Sequence, residues 1–258
     1  MKQFELEIAL REFALGGLRF FPSLGSSNDE ALAWAASGAR DFSLVVADEQ
    51  TSGRGRAGRR WFTPPESALA FSLVLHPSVP EQAFFGRFAG LGALALLGAL
   101  RRRGVEAQIK WPNDVLIGRK KVAGILVEAV WSGAELDSLV LGMGVNVSSQ
   151  ALPPAELLNF PGTCVETEAG RPVERLDLLR DILSELCRLR PELASDGFLA
   201  AWQQALAFRG EKVHVWQTSP LPALVELLGL EPDGSLRVLT SAGQVQAIHF
   251  GEVHLRPE

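Results

Sequence analysis

Apolar residues recur along the chain with two different spacings, which separate helical from extended segments. Helical spacing covers residues 81–103, 174–189 and 192–206. Ser27 to Glu30 matches a capping box with Ser27 as N-cap, which predicts a helix ending at Gly38. Runs of β-branched or alternating apolar residues predict strands at 42–48, 68–75, 108–111, 115–117, 122–131 and 137–147.

The pattern changes after Phe208. Short alternating runs at 212–216, 223–230, 235–239, 244–250 and 253–255 are separated by turn sequences containing glycine and proline. Five short strands in so short a segment predict a small barrel or rolled sheet. We therefore expect two domains, residues 1–206 and residues 207–258.

Composition excludes several classes of protein. The chain has 258 residues, of which 47% are hydrophobic, and a formal net charge of −5. Such a chain can bury a large core, and its net acidity argues against coating nucleic acid through bulk charge. Its two cysteines are too few for a disulfide framework or a structural zinc site. The N-terminus lacks the features of a signal peptide, and we expect a soluble cytoplasmic protein without a membrane span.

A loop of glycines and arginines runs from Gly53 to Arg60. It formally matches the dinucleotide motif G-x-G-x-x-G, but Pro64 and Pro65 follow soon after and prevent the helix that this motif opens. Glycine lets backbone N–H groups approach an anion, and arginine binds phosphate or carboxylate with two hydrogen bonds. The loop is thus a candidate anion site, although a solvated loop or an RNA contact has the same composition.

Lysine is rare in this chain and clustered. There are five lysines against twenty arginines, and Lys110, Lys120 and Lys121 lie within twelve residues. A cluster of compact ammonium groups is a candidate for chemistry on phosphates, while the simpler interpretation is a β-turn and a solvated hairpin. Gly142 and Gly144 interrupt a strand, which indicates close approach of a ligand or of a neighbouring strand.

Taken in order, these segments resemble one family, the biotin protein ligases or biotin–[acetyl-CoA-carboxylase] ligases. The resemblance extends over nearly the whole chain, from about residue 15 to residue 256. The segments that carry it are Ser26–Asn28, Gln50 with Gly53–Trp61, Lys110–Asp114, Lys121–Glu128, Gly142–Asn146 and the tail Gly251–Arg256.

The resemblance implies a fold and a reaction. The fold is α+β: a mixed central sheet flanked by helices, like that of class II aminoacyl-tRNA synthetases, with a small C-terminal SH3-like barrel. The reaction joins biotin and MgATP into biotinyl-5′-AMP and then transfers biotin to a lysine of the biotin carboxyl carrier protein. ATP, biotin and Mg²⁺ are the implied ligands.

The resemblance also implies roles for individual residues. Arg54, Arg56 and Lys121 would be catalytic, with the arginines on the phosphate and acyl oxygens and Lys121 on the bridging oxygens. Ser26, Ser27, Asn28 and Gln50 would bind biotin; Lys110, Asn113 and Asp114 would serve ATP phosphates, with Asp114 as the Mg²⁺ ligand. Trp61 would cover the adenine. The remaining residues assigned to ligand contacts are Gly53, Gly55, Gly124 and Asn146.

Some alternatives stay open at this point. Only some twenty residues precede Ser26, so we expect the ligase-only form of the family, without a DNA-binding domain and without DNA binding. Lipoate or octanoate ligases and transferases share the fold class and are the main alternative; a long apolar tunnel would favour them. A non-enzymatic RNA-binding protein is a second alternative. The oligomeric state is open, with a homodimer as one option.

Overall fold

Two β-sheets organise the protein. The structure is a computed structural model, and it describes residues 1–133, 135–154, 156, 158, 160–216, 222–249 and 254–257. The helices are α1 (Gln3–Ala9), α2 (Ser27–Ala36), α3 (Val79–Gln82), α4 (Arg87–Arg101), α5 (Val165–Ala169), α6 (Arg175–Leu189) and α7 (Asp196–Gln204). The strands of the first sheet are β1 (Gly17–Phe21), β2 (Ser43–Ala47), β3 (Ala68–Leu75), β4 (Gln108–Lys110), β5 (Asp114–Ile117), β6 (Lys120–Ser132) and β7 (Glu135–Asn146).

The first sheet has the strand order β1-β2-β3-β7-β6-β5-β4. The β1–β2 pair is parallel and the other pairs are antiparallel, so the sheet is mixed, as predicted. Helices α4 and α6 pack together over one face, and α2 packs against β2, β3 and β7. Because side chains alternate along a strand, Phe71 and Leu73 enter the large core whereas Val74 packs in a small cluster with Ala31 and Ala35 of α2.

The face of the sheet beneath α2 is partly polar. Leu141, Met143 and Val145 of β7 belong to the large core, so Gly142 and Gly144 lie on the opposite face. Ser72 of β3 also lies there: its hydroxyl is 2.8 Å from that of Ser27 in α2. The two glycines and Ser72 leave room for a site on this part of the face.

The second sheet contains β8 (Lys212–Trp216), β9 (Ala223–Leu230), β10 (Leu236–Thr240), β11 (Val245–Ile248) and β12 (His254–Pro257). Its strand order is β11-β10-β9-β8-β12, and all its pairs are antiparallel. The five predicted strands are present in the described residues, and the predicted domain boundary falls between α7 and β8. Of the family-like tail, residues 251–253 lie outside the described residues.

The turn between β9 and β10 joins the second sheet to the first. Trp111 donates its indole N–H to the Gly234 carbonyl at 3.0 Å, and both groups are buried. Arg87, which is 1% exposed, donates to the carbonyls of Pro232, Leu193 and Ser195. These bonds hold the turn against the start of α4 and against the segment that carries Trp111.

Two helix predictions need correction. Ser27 is the first residue of α2, because Ser26 occupies the N-cap, and Glu30 pairs with Arg19 at 2.8 Å rather than closing a capping box. The helix predicted over 81–103 is divided into α3 and α4, and Gly86 is the N-cap of the second. Helices α1 and α5 were not predicted, because they are short and α1 buries just Leu6. In the described residues, no helix is long and apolar enough to cross a membrane.

Candidate active site

A cavity of about 480 Å³ lies on the polar face of the first sheet, between α2 and the glycine–arginine loop. The loop covers it from above, and β6 and β7 form its floor. Most of the predicted site residues meet here although they come from distant parts of the sequence. Those lining the cavity are Ser26, Ser27, Asn28, Gln50, Arg54, Gly55, Arg56, Trp61, Lys110, Asn113, Asp114, Lys121 and Gly124.

One end of the cavity is a network of uncharged hydrogen-bonding groups. Gln50 Oε1 accepts from the backbone N–H of Ser27 at 2.8 Å, and Ser72 Oγ lies 2.6 Å from Asn28 Oδ1. The side chain of Asn28 is 4% exposed and donates to Glu128 Oε2 at 2.9 Å. Polar groups buried at this depth need hydrogen-bond partners, and here each holds the next in a fixed orientation.

Arg54 lies between two carboxylates. Its Nη1 and Nη2 reach the two oxygens of Glu128 at 2.9 and 2.6 Å, and Nη2 also lies 2.7 Å from Asp29 Oδ1. Burial alone would lower the pKa of Arg54, but Glu128 and then Asp29 raise it above its ordinary value. The pairs connect the loop to β6 and to the first turn of α2.

The other end of the cavity is cationic. Asp114 Oδ1 is 2.5 Å from Lys121 Nζ, and Oδ2 is 3.3 Å from Lys110 Nζ. Burial would raise the pKa of Asp114, but the two ammonium groups outweigh it and hold the pKa below its ordinary value. Burial lowers the pKa of Lys110, against the opposing effect of Asp114. This group carries one net positive charge, two ammonium groups less one carboxylate.

A β-bulge sets the direction of Lys121. The register of β5 against β6 shifts between Val115 and Leu116, and Leu116 pairs with Lys121. Lys121 therefore points towards Asp114, whereas Lys120 pairs with Glu168 at 3.1 Å outside the cavity lining.

Arg56 extends the cationic end from above. Its Nη1 is 3.4 Å from Asn113 Oδ1, and Asn113 Nδ2 donates to the Ile125 carbonyl at 2.8 Å. Burial lowers the pKa of Arg56, and Asp114 opposes that shift. Arg56 thus lies over the Lys110–Asp114 segment, opposite the uncharged end.

Trp61 fills the middle of the site and accounts for one glycine of β7. A side chain at Gly144 would overlap the indole ring, and one at Gly142 would overlap the Asn28 amide. Lys121 Nζ lies 5.4 Å from the centroid of the Trp61 ring, within range of a cation–π interaction. The two strand glycines are therefore explained by the close approach of these site side chains.

Two predicted site residues lie outside the cavity lining. Gly53 is a structural position: a Cβ there would collide with the Trp61 carbonyl, and the Trp61 N–H donates to the Gly53 carbonyl at 2.8 Å. Asn146 donates from Nδ2 to the Thr163 carbonyl at 3.1 Å and fastens the end of β7 to the segment before α5.

The donor set does not fit a Mg²⁺ ion held by the protein alone. Asp114, the predicted ligand, already has an ammonium group on each carboxylate oxygen. In the described part of the chain, no group of three His, Cys, Asp or Glu side chains could hold a metal. Mg²⁺ is commonly bound mainly through substrate phosphates. These residues are therefore compatible with Mg²⁺ that enters the site bound to ATP.

Sequence reasoning missed two residues of the site. Glu128 ends the family-like segment Lys121–Glu128, and the resemblance implies no contact for it, although it accepts from both Arg54 and Asn28. Ser72 interrupts an otherwise apolar strand, and a polar residue in a buried strand is the feature that could have revealed it.

Comparison with known proteins agrees with this arrangement. The model of the biotin/lipoate A/B protein ligase family matches residues 22–146, which contain the loop, the lysine cluster and α2. The biotin–[acetyl-CoA-carboxylase] ligase of Paracoccus denitrificans is 33% identical over 88% of this chain and 96% of its own length. The bifunctional ligase/repressor BirA of Bacillus subtilis is 28% identical over 99% of this chain and 79% of its own length.

The same relationship holds in three dimensions. The biotin protein ligase from Aquifex aeolicus in complex with biotin and ATP superposes with a TM-score of 0.80 at 26% identity, covering 95% of this chain and all of the other. The fold and cavity thus define a protein of the biotin and lipoate ligase class. Within that class, the identity and coverage of its relatives show that the chain belongs to the biotin protein ligase family.

Proposed function

We propose that this chain is an ATP-dependent biotin protein ligase. It activates biotin as biotinyl-5′-AMP with release of pyrophosphate, and then transfers biotin to a specific lysine of the biotin carboxyl carrier protein of acetyl-CoA carboxylase. The observation that carries the proposal is one cavity with an uncharged hydrogen-bonding end and a cationic end, covered by a single loop.

The uncharged end suits the ureido group of biotin. That group presents N–H donors and a carbonyl acceptor but no charge, so it needs amide and hydroxyl partners in fixed positions. Ser27, Asn28 and Gln50 supply such partners, and Ser72 orients two of them from below. A site built of oriented polar groups discriminates strongly against a ligand that cannot form the same hydrogen bonds.

The cationic end suits the triphosphate and the reacting atoms. Attack of the biotin carboxylate on the α-phosphate brings two anionic groups together, and negative charge develops on the bridging and leaving oxygens. Lys110, Lys121 and Arg56 surround this region and are oriented by Asp114 and Asn113 before the substrates arrive. Cations fixed in this way stabilise the transition state more than the separated substrates.

The second half-reaction needs a protected mixed anhydride. The loop from Gly53 to Arg60 covers the cavity, Trp61 fills its middle, and both limit the access of water to the acyl phosphate. The carrier lysine then attacks the biotinyl carbonyl as a neutral amine, the acyl–phosphate bond breaks, and AMP leaves with the electron pair.

The alternatives fit the cavity less well. A lipoyl or octanoyl chain calls for an apolar tunnel, whereas the end beneath α2 is lined by Ser27, Asn28 and Gln50. An RNA-binding role needs arginines that face solvent, but Arg54 and Arg56 turn into the cavity and bond Glu128 and Asn113.

The direct test is incubation with ATP and each candidate acid. Mass spectrometry should detect biotinyl-AMP and pyrophosphate with biotin and only background adenylate with lipoate or octanoate. Adding a carrier domain should consume the biotinyl-AMP and increase the mass of the carrier by one biotinyl group. Adenylate formation from lipoate in preference to biotin would refute the assignment. The Mg²⁺ requirement and the cytoplasmic location stay predictions, and the oligomeric state stays open, with a homodimer as one option.

A further inference from the structure

Glu128 occupies a position that connects the two halves of the site. It lies in β6 on the same face as Gly124, and its side chain is 26% exposed. Both of its oxygens accept from Arg54, at 2.9 and 2.6 Å, and Oε2 also accepts from Asn28 at 2.9 Å. One carboxylate therefore holds the covering loop and an amide of the uncharged end at the same time.

The charge balance indicates what this contact does. Glu128 and Asp29 bring two negative charges to the one positive charge of Arg54. A guanidinium neutralised in this way contributes less to binding a substrate anion than Lys110 and Lys121, which share a single carboxylate, Asp114. Arg54 is therefore better placed to anchor the loop than to bind phosphate.

Glu128 and Asp29 contact Arg54 with different geometries. Glu128 makes a two-point contact with the two terminal guanidinium nitrogens, Nη1 and Nη2, the arrangement that fixes an arginine most firmly. Asp29 makes a single contact at 2.7 Å, and its side chain is 58% exposed, so solvent screens it. Asp29 thus provides a matched control on the same arginine.

We propose that Glu128 is a positioning residue that holds the Gly53–Arg60 loop closed through its contact with Arg54. Through its contact with Asn28, Glu128 also couples loop closure to the biotin end of the cavity. This rests on the proposed function for its substrate. When Asn28 is held by a bound ureido group, Glu128 is held as well, and Arg54 closes on a fixed partner. Loss of the carboxylate leaves the loop without its anchor on β6.

The test compares Glu128→Gln with Asp29→Asn. Glutamine keeps an acceptor for Asn28 but loses the two-point ion pair, which corresponds to about a 10- to 100-fold weakening of closure. We expect trypsin to cut the loop of Glu128→Gln at least tenfold faster than that of the wild type, with and without biotin plus ATP. The KM for biotin and the release of free biotinyl-AMP should rise to a similar extent, while kcat changes less than about threefold. Asp29→Asn should behave like the wild type.

Several results would overturn the inference. Wild-type loop protection and adenylate retention in Glu128→Gln would do so, as would equal effects of the two variants. A fall in kcat at unchanged biotin KM would assign Glu128 to the chemical step instead. Should Glu128→Gln fold poorly by circular dichroism, Glu128→Asp keeps the charge, shortens the reach, and must show the same changes. If wild type makes no biotinyl-AMP, the proposed function fails, while trypsin cleavage still tests the anchor.

Discussion

Replacing Lys121 with alanine removes the ammonium group that lies 2.5 Å from Asp114 Oδ1 at the cationic end of the cavity. The lysine–aspartate–lysine group then falls from one net positive charge to zero. Lys110 remains as the partner of Asp114, at 3.3 Å, so the carboxylate keeps one ion pair. The substitution therefore tests the contribution of one positioned cation to adenylate formation.

The expected magnitude follows from electrostatics. A unit charge about 4 Å from a charge that develops in the transition state is worth about 4 kcal/mol at the effective dielectric constant of a partly buried site. Removal of one positioned donor in other enzymes costs about 3–4 kcal/mol, or roughly 10²–10³ in rate. We expect pyrophosphate release by Lys121→Ala to fall by roughly that factor.

The structure also changes the expected effect on stability. A solvated hairpin lysine could be removed at little cost, but Lys121 neutralises a buried carboxylate. Loss of one partner should lower the free energy of unfolding by about 1–3 kcal/mol. The double variant Lys121→Ala with Asp114→Asn also removes the carboxylate partner of the buried Lys110, so it should be no more stable than Lys121→Ala and should not regain the rate.

The assay is pyrophosphate release at saturating biotin and ATP, at a temperature well below the unfolding transition of every variant. Lys120→Ala is the matched control, since Lys120 pairs with Glu168 outside the cavity lining. Lys121→Arg should recover only part of the rate, because a planar guanidinium is larger than an ammonium. A near-wild-type rate for Lys121→Ala, or a collapse for Lys120→Ala alone, would refute the reasoning.

Four further outcomes are expected. Trypsin should cut the loop from Ser52 to Arg60 more slowly with biotin plus ATP than without them, because a bound anion reduces the mutual repulsion of its arginines and orders the loop. Equal cutting rates under the two conditions would contradict this. Arg56→Ala should release the adenylate and modify lysines indiscriminately, because its guanidinium helps to retain the phosphate; an active variant still selective for the carrier would exclude that role. The pKa of Asp114 is lowered in the folded state, so its carboxylate stabilises the protein above about pH 4 and loses that contribution as the pH falls through the folded pKa. The free energy of unfolding of Asp114→Asn, measured by denaturant titration, should therefore fall less steeply as the pH is lowered. Trp111→Phe leaves the buried Gly234 carbonyl unsatisfied and should lower the free energy of unfolding by about 1–3 kcal/mol, whereas an unchanged denaturation midpoint would argue against the contact.

The sequence predicted which residues line the site better than it predicted the contacts between them. Lys110 and Lys121 could be selected because the rare lysines are clustered, and Arg54 because it lies in a short segment of glycines and arginines; the structure brings these segments to one cavity. Asn146 is selected as part of the family-like segment Gly142–Asn146, but it lies four pairs beyond Gly142 along the strand and bonds Thr163 instead.

What remained unpredictable depends on contacts between distant segments. The Glu128–Arg54 pair spans 74 residues and needs the position of the loop over β6. The direction in which the Lys121 side chain points depends on a β-bulge that the residue types do not predict. The N-cap of α2 moved by one residue because Ser27 bonds Gln50, a partner outside its own helix.

Arg87 makes the two sheets depend on each other for folding. Its guanidinium is buried and, among the described contacts, satisfied by backbone carbonyls, including that of Pro232 in the second sheet. Cutting the chain near residue 207 would remove the Pro232 acceptor of Arg87 and the Gly234 acceptor of Trp111, so two buried donors of the first domain would lose a partner. Heat or denaturant should therefore melt both sheets in one cooperative transition, and shortening the protein from its C-terminal side would destabilise the ligase core itself.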